Sequence, residues 1–195
     1  MTPGDGEAWP VDVTIPYTRP AAPRQCGGAV LYLDFDGVLH PEDVWRRRGA
    51  GPYVASPPGH AVFEHAALLA SCLVPYPDLR IVLSTSWVRV FRSVSKAARC
   101  LPASLRDRVV GATFHTRMAS AAFEALPRGA QVWGDVCRRR PTAWLALDDD
   151  DAGWPTVCLD HLVHADPVQG ISAPPVLAAL QARLAAMYPE EGGLP

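Results

Sequence analysis

Short uncharged runs alternate along the chain with longer stretches in which apolar residues recur at helical spacing. The run at residues 29–33 is mostly apolar, as expected of a strand buried on both faces of a sheet. Similar runs predict four further strands, at residues 81–83, around 109–110, at 145–147 and at 156–159. The pattern therefore predicts an α/β fold with a central sheet of about five strands.

Helices are predicted between these strands, wherever apolar residues recur every three or four positions. A short helix precedes the third strand, and longer ones are expected at residues 60–74, 88–101, 118–126, 129–139 and 175–188. A chain of 195 residues, 49% of them hydrophobic, is long enough for one sizeable core and short for two. We therefore expect one domain, spanning residues 29–188.

Three segments outside this pattern are rich in proline and glycine. Residues 1–28 predict a loosely ordered N-terminal arm, residues 189–195 a C-terminal tail, and residues 40–59 an irregular insertion. The insertion directly follows the first strand and is longer than most strand-to-helix connections, which is typical of functional loops. Its basic run at 46–48 has two interpretations: a solvated surface loop, or an electrostatic lip in which Arg46 attracts a phosphorylated substrate.

Composition narrows the classes of partner. The formal net charge of -2 gives no global reason to expect nucleic acid or an anionic membrane as a partner. Five widely spaced cysteines without a CxxC pair indicate neither a disulfide framework nor a zinc site. No apolar run reaches the length of a membrane span, and the first residues lack the features of a signal peptide. We therefore expect a cytoplasmic protein without a membrane partner.

The candidate chemistry lies where three predicted strands end. Asp34 and Asp36 follow the first strand, and four aspartates, residues 148–151, follow the strand at 145–147. Between them in sequence, the strand at 81–83 runs into three hydroxyls, Ser84, Thr85 and Ser86. In open α/β sheets the carboxyl ends of the strands border the binding crevice, so these groups are candidates to converge.

Each group also has a structural interpretation. An acidic strand end can be a solvated turn, and a hydroxyl can cap a helix. Paired carboxylates suit a hard cation or acid–base chemistry, and hydroxyls with backbone amides can hold a phosphoryl oxygen. The coincidence of two acidic strand ends with a hydroxyl-bearing strand favours a functional site.

Two arginines stand at the starts of predicted helices, where a cation is electrostatically disfavoured. Arg89 lies in the first turn of the helix at 88–101, and Arg128 stands just ahead of the helix at 129–139. A bound anion would offset that cost, which makes both candidates to contact a phosphorylated substrate. Solvent exposure is the alternative explanation.

These motifs together resemble the haloacid dehalogenase-like (HAD) superfamily. The resemblance rests on DFDGVL at 34–39, the strand ending in hydroxyls, a basic residue some twenty positions before the last acidic pair, and LALDD ending at Asp149. Through STSW and LALDD the chain looks like the small branch of HAD domains found in RNA repair (Swiss Army Knife) proteins. This implies one Rossmann-like domain, with a mostly parallel sheet and helices on both faces. The intervening segments are too short for a large cap domain.

The resemblance also implies roles for individual residues. Asp34 would be the nucleophile that becomes an aspartyl phosphate, and Asp36 the general acid and base. Thr85 would bind the phosphate, with Ser84 as the alternative, and Arg128 would be the basic residue of the third motif, with Arg117 as the alternative. Mg²⁺ would be held by Asp34, the backbone carbonyl of Asp36, Asp148 and Asp149.

The implied activity is Mg²⁺-dependent hydrolysis of a phosphomonoester. Asp36 supports this assignment, because dehalogenating members of the superfamily lack an aspartate there. The substrate would be a small phosphate ester or, given the open site and the RNA-repair-like branch, a nucleic-acid 3′ or 5′ end. A non-catalytic binding module that retains the fold is the last alternative.

Overall fold

The computed structural model describes residues 23, 25–47, 49 and 51–188. Its strands are β1 (Ala29–Leu33), β2 (Asp43–Arg47), β3 (Gly51–Ser56), β4 (Arg80–Leu83), β5 (Val109–Ala112), β6 (Ala143–Asp148) and β7 (Leu162–His164). Its α-helices are α1 (Ala66–Cys72), α2 (Trp87–Phe91), α3 (Val94–Ala98), α4 (Ala103–Arg106), α5 (Ser120–Glu124), α6 (Arg128–Arg139) and α7 (Pro174–Ala186).

Five of the strands form a parallel sheet in the order β5-β4-β1-β6-β7. β1 lies in the middle, and Leu33 pairs with Leu83 of β4 on one side and with Leu147 of β6 on the other. This central position explains the continuous apolar run, since a strand flanked by strands and covered on both faces meets no water. The predicted α/β fold with a parallel sheet of about five strands is confirmed.

Helices cover both faces of the sheet. On one face, Leu31 and Leu33 of β1 belong to the larger core, together with Leu69 of α1 and Leu180 of α7. On the other face, the intervening β1 residues Val30 and Tyr32 pack in a second core that receives three apolar residues of α6 and the strand that follows it, Val132, Val136 and Trp144. The alternation of side chains along a strand therefore builds two cores from one short segment.

The last strand was placed wrongly by the sequence pattern. Residues 156–159 form the beginning of a 3₁₀ helix, Thr156–His161, and strand β7 follows it at Leu162–His164. The side chains of Val157 and Leu159 are exposed, so these apolar residues do not mark a strand buried in the sheet. The three-residue strand β7 pairs with β6 instead.

The helix predicted at 88–101 is two short helices, α2 and α3. The break lies at Arg92, whose φ of 50° is left-handed, and at Ser93, whose hydroxyl accepts a hydrogen bond from the Lys96 amide as an N-cap. The helix predicted at 60–74 is also shorter, because the chain first turns through Phe63, whose φ is 62°. A left-handed residue that is not glycine gives no local signal in the sequence.

The segment at 40–59, predicted to be irregular, contains the antiparallel hairpin β2–β3. Arg46 pairs with Pro52 and Trp45 with Tyr53. Arg48, the third residue of the basic run, lies outside the described residues, as do most of the N-terminal arm and the whole C-terminal tail. In the part of the chain that the structure describes, no helix is long and apolar enough to cross a membrane.

Candidate active site

The carboxyl ends of β1, β4 and β6 bring the acidic and hydroxyl groups to one edge of the sheet. The Asp34 amide donates to the Leu147 carbonyl over 3.1 Å, and the Ser84 amide donates to the Leu33 carbonyl over 2.9 Å. Asp34 and Asp148 are both buried. The sheet pairing itself therefore fixes where the two acidic strand ends meet.

Arg128 begins α6 directly after Pro127 and reaches into this edge. Its Nη2 lies 2.6 Å from Asp34 Oδ2, and its Nε lies 3.3 Å from Asp148 Oδ1. Its Nη1 donates to the Ser84 carbonyl. Burial by itself lowers the pKa of Arg128, but the charges of Asp34 and Asp148 outweigh it and raise that pKa. One partly buried cation therefore bridges all three strand ends.

One arginine does not balance the carboxylates gathered here. Burial raises the pKa of Asp34, against the opposing charge of Arg128, and the charge of Asp36 raises it further. Burial and then the charge of Asp34 raise the pKa of Asp148 well above its usual range. The same two causes raise the pKa of Asp149 to about 7. These carboxyls crowd together in a region that favours a further positive charge.

The donor set fits a hard divalent cation. One carboxylate oxygen from each of Asp34, Asp148 and Asp149 lies within 4.8 Å of the other two. The Oδ2 atom of Asp148 is buried without a hydrogen-bond partner. Buried oxygens without donors are unfavourable, whereas carboxylate oxygens are the ligands that Mg²⁺ and Ca²⁺ prefer. Asp150 and Asp151, which end the acidic run, are exposed.

Gly37 makes room for the third carboxylate of this cluster. Its φ is 67°, and a Cβ atom built on it would lie 2.0 Å from Asp149 Oδ2. Any side chain at position 37 would therefore overlap the carboxylate in its present position. Two features of the structure therefore require glycine at position 37 of the DFDGVL motif: the left-handed backbone conformation and the close approach of Asp149.

Asp36 lies on the other side of the site and has different neighbours. The Trp87 indole Nε1 donates to both of its oxygens, over 2.8 Å to Oδ1 and 3.0 Å to Oδ2. The Ser86 hydroxyl lies 3.4 Å from Oδ2, and His40 Nε2 lies 3.1 Å from Oδ1. The Phe63 amide donates to His40 Nδ1 over 3.2 Å, which leaves Nε2 as the nitrogen that carries the proton toward Asp36. The side chain of Asp36 is still 26% exposed, so it can reach a substrate.

Trp87 and His40 were not predicted as site residues. Trp87 follows the three hydroxyls directly, and His40 stands four residues after Asp36. Both side chains are buried, and each belongs to an aromatic cluster with Phe63. The sequence did offer a signal for Trp87, because its indole follows a polar strand end directly. A buried indole N–H needs a hydrogen-bond acceptor, and the nearby carboxylates could supply one.

The three hydroxyls divide between the two aspartates. The Thr85 hydroxyl donates to the Asp34 carboxylate, which lowers the pKa of that carboxyl, whereas Ser86 contacts Asp36. The Ser84 hydroxyl is buried without a partner among the described residues. The geometry therefore brings Thr85, rather than Ser84, to Asp34.

The remaining candidate cations lie apart from the buried carboxylates. Arg89 forms an ion pair with Glu124, with Nη1 2.7 Å from Oε2. Arg117 is exposed and borders a groove along the edge strand β5. The Arg46 guanidinium lies over the Phe91 ring, 5.0 Å from its centroid, at the border of a cavity that includes Asp36. Of the two candidates for the third motif, the one in contact with Asp34 is Arg128.

Fold and site together define a HAD-like domain, with two acidic strand ends, a hydroxyl-bearing strand and a partly buried cation at one edge of a parallel sheet. The chain belongs to the family described as the HAD domain in Swiss Army Knife RNA repair proteins, whose model matches residues 30–176. This confirms the resemblance to that branch and supports a HAD-type, phosphatase-like role. Neither the curated proteins nor the solved structures contain a match.

Proposed function

We propose that the protein is a Mg²⁺-dependent phosphatase that hydrolyses a phosphomonoester through an aspartyl phosphate on Asp34. The observation that carries this proposal is a buried carboxylate held by Arg128 and Thr85, with a second, partly exposed carboxyl at Asp36. Nucleophilic catalysis by a carboxylate needs such a pair, because one group attacks while the other moves protons.

Asp34 attacks the phosphorus atom of the ester, and the bond from phosphorus to the leaving oxygen breaks. Asp36 gives its proton to that oxygen, so that the leaving group departs as an alcohol. In the second half Asp36 takes a proton from water, which attacks the aspartyl phosphate and releases inorganic phosphate and the Asp34 carboxylate. Atoms and charge balance over the two halves.

The other residues of the site hold these groups in place. Arg128 and the Thr85 hydroxyl lie against Asp34, where they can donate to phosphoryl oxygens as negative charge develops. Trp87, His40 and Ser86 orient Asp36. Mg²⁺ held by Asp34, Asp148 and Asp149 would neutralise charge on the transferring phosphoryl group. The backbone carbonyl of Asp36 remains a further ligand that the resemblance implies.

A narrower candidate is a phosphatase for nucleic-acid 3′ or 5′ ends in RNA or DNA repair. It is supported by the family description and by an open groove of about 1040 Å³ along the sheet edge at β5. Among the described residues, the lining of this groove holds no carboxylate and five arginines, namely Arg99, Arg106, Arg117, and Arg138 and Arg139, which both pair with Asp135. A row of cations of this kind attracts a phosphodiester backbone. A cytoplasmic site of action stays a prediction from the sequence.

The test is a phosphatase assay on small phosphate esters and phosphorylated oligonucleotides, with Mg²⁺ or with EDTA. We expect Mg²⁺-dependent turnover that Asp34→Asn lowers at least about 10³-fold, because it removes the nucleophile and keeps the shape of the side chain. Circular dichroism checks that the variant is folded. Equal turnover by wild type and variant would contradict the proposal.

The same assay separates the remaining candidates. Preference for oligonucleotide ends over mononucleotides would support the repair activity, and the reverse preference would count against it. Absence of both turnover and Mg²⁺ binding would favour the non-catalytic module.

A further inference from the structure

A cavity of about 260 Å³ lies between the β2–β3 hairpin and α2, beside Asp36. We call it the hairpin pocket. Its apolar walls include Val44 and Pro52 of the hairpin and Val90 and Phe91 of α2, and its polar border is formed by Asp36 and Ser86. The Trp87 ring, which holds Asp36 in place, also borders the pocket.

The position of the pocket beside Asp36 places it next to the leaving group of a substrate. A general acid must reach the oxygen that leaves, so in the proposed reaction the leaving oxygen lies within hydrogen-bond reach of Asp36. The group attached to that oxygen then extends away from Asp34 and into the space beside Asp36. The hairpin pocket therefore borders the leaving group rather than the phosphoryl group.

The walls of the pocket are suited to a flat ring. Trp87 and Phe91 contact each other edge to face, with ring centroids 5.8 Å apart and an angle of 72° between the ring planes. The Arg46 guanidinium lies over the Phe91 ring, and among the described carboxylates it has no ion-pair partner. A guanidinium stacked on one ring can bind a second planar aromatic group through its other face, and the Trp87 and Phe91 rings border the same space.

The size of the pocket limits the occupant. Pockets that enclose whole drug-sized ligands have volumes of about 300–1,000 Å³. At about 260 Å³, the hairpin pocket has room for one ring system, and a larger leaving group would extend out through its open side.

We propose that the hairpin pocket binds a planar aromatic ring carried by the leaving group, so that the preferred substrates are phosphate esters of ring-bearing alcohols. This inference rests on the proposed phosphatase function, since it assigns the pocket to the alcohol side of the ester. Two sources supply such a ring, the base of a nucleoside and the ring of a phenol.

The first experiment measures binding without turnover. The indole N–H resonance of Trp87, assigned by its loss in Trp87→Phe, is followed while adenosine, phenol or glycerol is added to the ¹⁵N-labelled protein. We expect adenosine or phenol, but not glycerol, to shift this resonance, and the one that binds more tightly identifies the source of the ring. Arg46→Met, which keeps the side-chain stem, should weaken that binding about tenfold.

The second experiment compares kcat/KM for phenyl phosphate, adenosine monophosphate and glycerol phosphate. Arg46→Met and the conservative Phe91→Leu should lower kcat/KM for the better ring-bearing ester about tenfold more than for glycerol phosphate. The matched control is Tyr53→Phe, because Tyr53 lies on the same hairpin outside the pocket lining and the change keeps its ring beside Trp45. It should change none of the three values.

Equal losses for all three esters would overturn the proposal, as would a Trp87 resonance that responds to neither ring. The binding experiment does not require catalysis. If no ester is hydrolysed while a ring still shifts the Trp87 resonance, the phosphatase function fails and ring binding by the pocket stands.

Discussion

The two halves of the site hold their carboxylates by opposite means. In the acidic half, Arg128 pairs with Asp34 and Asp148 but does not balance the three carboxylates Asp34, Asp148 and Asp149, and among the described residues the Asp148 Oδ2 atom has no donor. In the aromatic half, Asp36 receives donors from neutral side chains, chiefly the Trp87 indole. Asp34 and Asp148 are buried and Asp149 is partly buried, whereas the side chain of Asp36 is 26% exposed.

This difference separates two requirements of one reaction. Crowded buried carboxylates bind a cation well, because the cation relieves repulsion that the fold has already imposed. A carboxyl held by neutral donors keeps a fixed position without a permanent positive neighbour, which suits a group that must both give and accept a proton. Substitutions in the acidic half should therefore alter metal binding and stability. Substitutions in the aromatic half should alter proton transfer.

The largest effect is expected from Arg128→Met, which removes the cation of the acidic half and leaves Asp34 and Asp148 buried without it. We expect the free energy of unfolding, measured with urea in EDTA at pH 7, to fall by about 3–5 kcal/mol. The exposed Arg117→Met is the control and should change it by less than about 0.5 kcal/mol. Equal values for the two variants would show that Arg128 does not compensate these carboxylates.

The second prediction concerns pH and metal in the acidic half. Burial and Asp34 raise the pKa of Asp149 from 3.8 to about 7, so the native state keeps a proton there that the unfolded state loses near pH 4. The free energy of unfolding in EDTA should therefore fall as pH rises from about 4 to about 7. Mg²⁺ should reduce this fall, because a cation favours the charged carboxylates.

The measurement is urea unfolding at pH 5 and at pH 7.5, each with EDTA and with Mg²⁺. Asp149→Asn should weaken the pH dependence in EDTA and lower Mg²⁺ affinity. Asp151→Asn is the matched control, since that aspartate is exposed and should leave both unchanged. An Asp149→Asn profile that coincides with wild type would contradict the prediction.

A smaller effect is expected from Trp87→Phe in the aromatic half, which keeps a ring and removes the N–H that holds Asp36. We expect kcat to fall about tenfold with little change in KM, because a hydrogen bond to a charged group contributes about 1.5–3 kcal/mol. The loss should be greater for an alkyl phosphate than for p-nitrophenyl phosphate, whose leaving group needs little help from an acid.

Steady-state kinetics on both esters provide the check, with Trp133→Phe on α6 as the control. Metal affinity should stay the same in Trp87→Phe, since the indole contacts no member of the acidic half. Equal losses on the two esters would indicate that Trp87 supports the fold rather than the acid.

The smallest effect is expected from Arg89→Gln. The sequence suggested a substrate contact, but the guanidinium pairs with Glu124, which is largely exposed. Pairs of this kind contribute about 0–1 kcal/mol, so stability should change little and KM should stay within about twofold. A clear rise in KM would restore Arg89 as a substrate contact.

The sequence was most informative where buried strands end. Asp34 and Asp148 could be placed because an uncharged, mostly apolar run followed by carboxylates is a local pattern, and parallel pairing brings the ends together. The donors to Asp36 could not be derived in this way, because Trp87 reaches it from another strand end through tertiary packing and the contact of His40 depends on how the chain turns after Gly37. Two predictions from the apolar pattern were wrong for the same reason. The helix break at Arg92 requires a left-handed arginine, and Val157 and Leu159 are apolar but exposed. Local composition indicates neither of these features.

The central place of β1 has a consequence for synthesis of the protein. On one edge it pairs with β4, which follows soon after it, but on the other edge Ala29 pairs with Ala143, so β6 leaves the ribosome much later. Until then, one edge of the most apolar strand stays unpaired, and such edges promote association with other chains. A nascent chain that ends before β6 should therefore depend on chaperones more than the complete domain does.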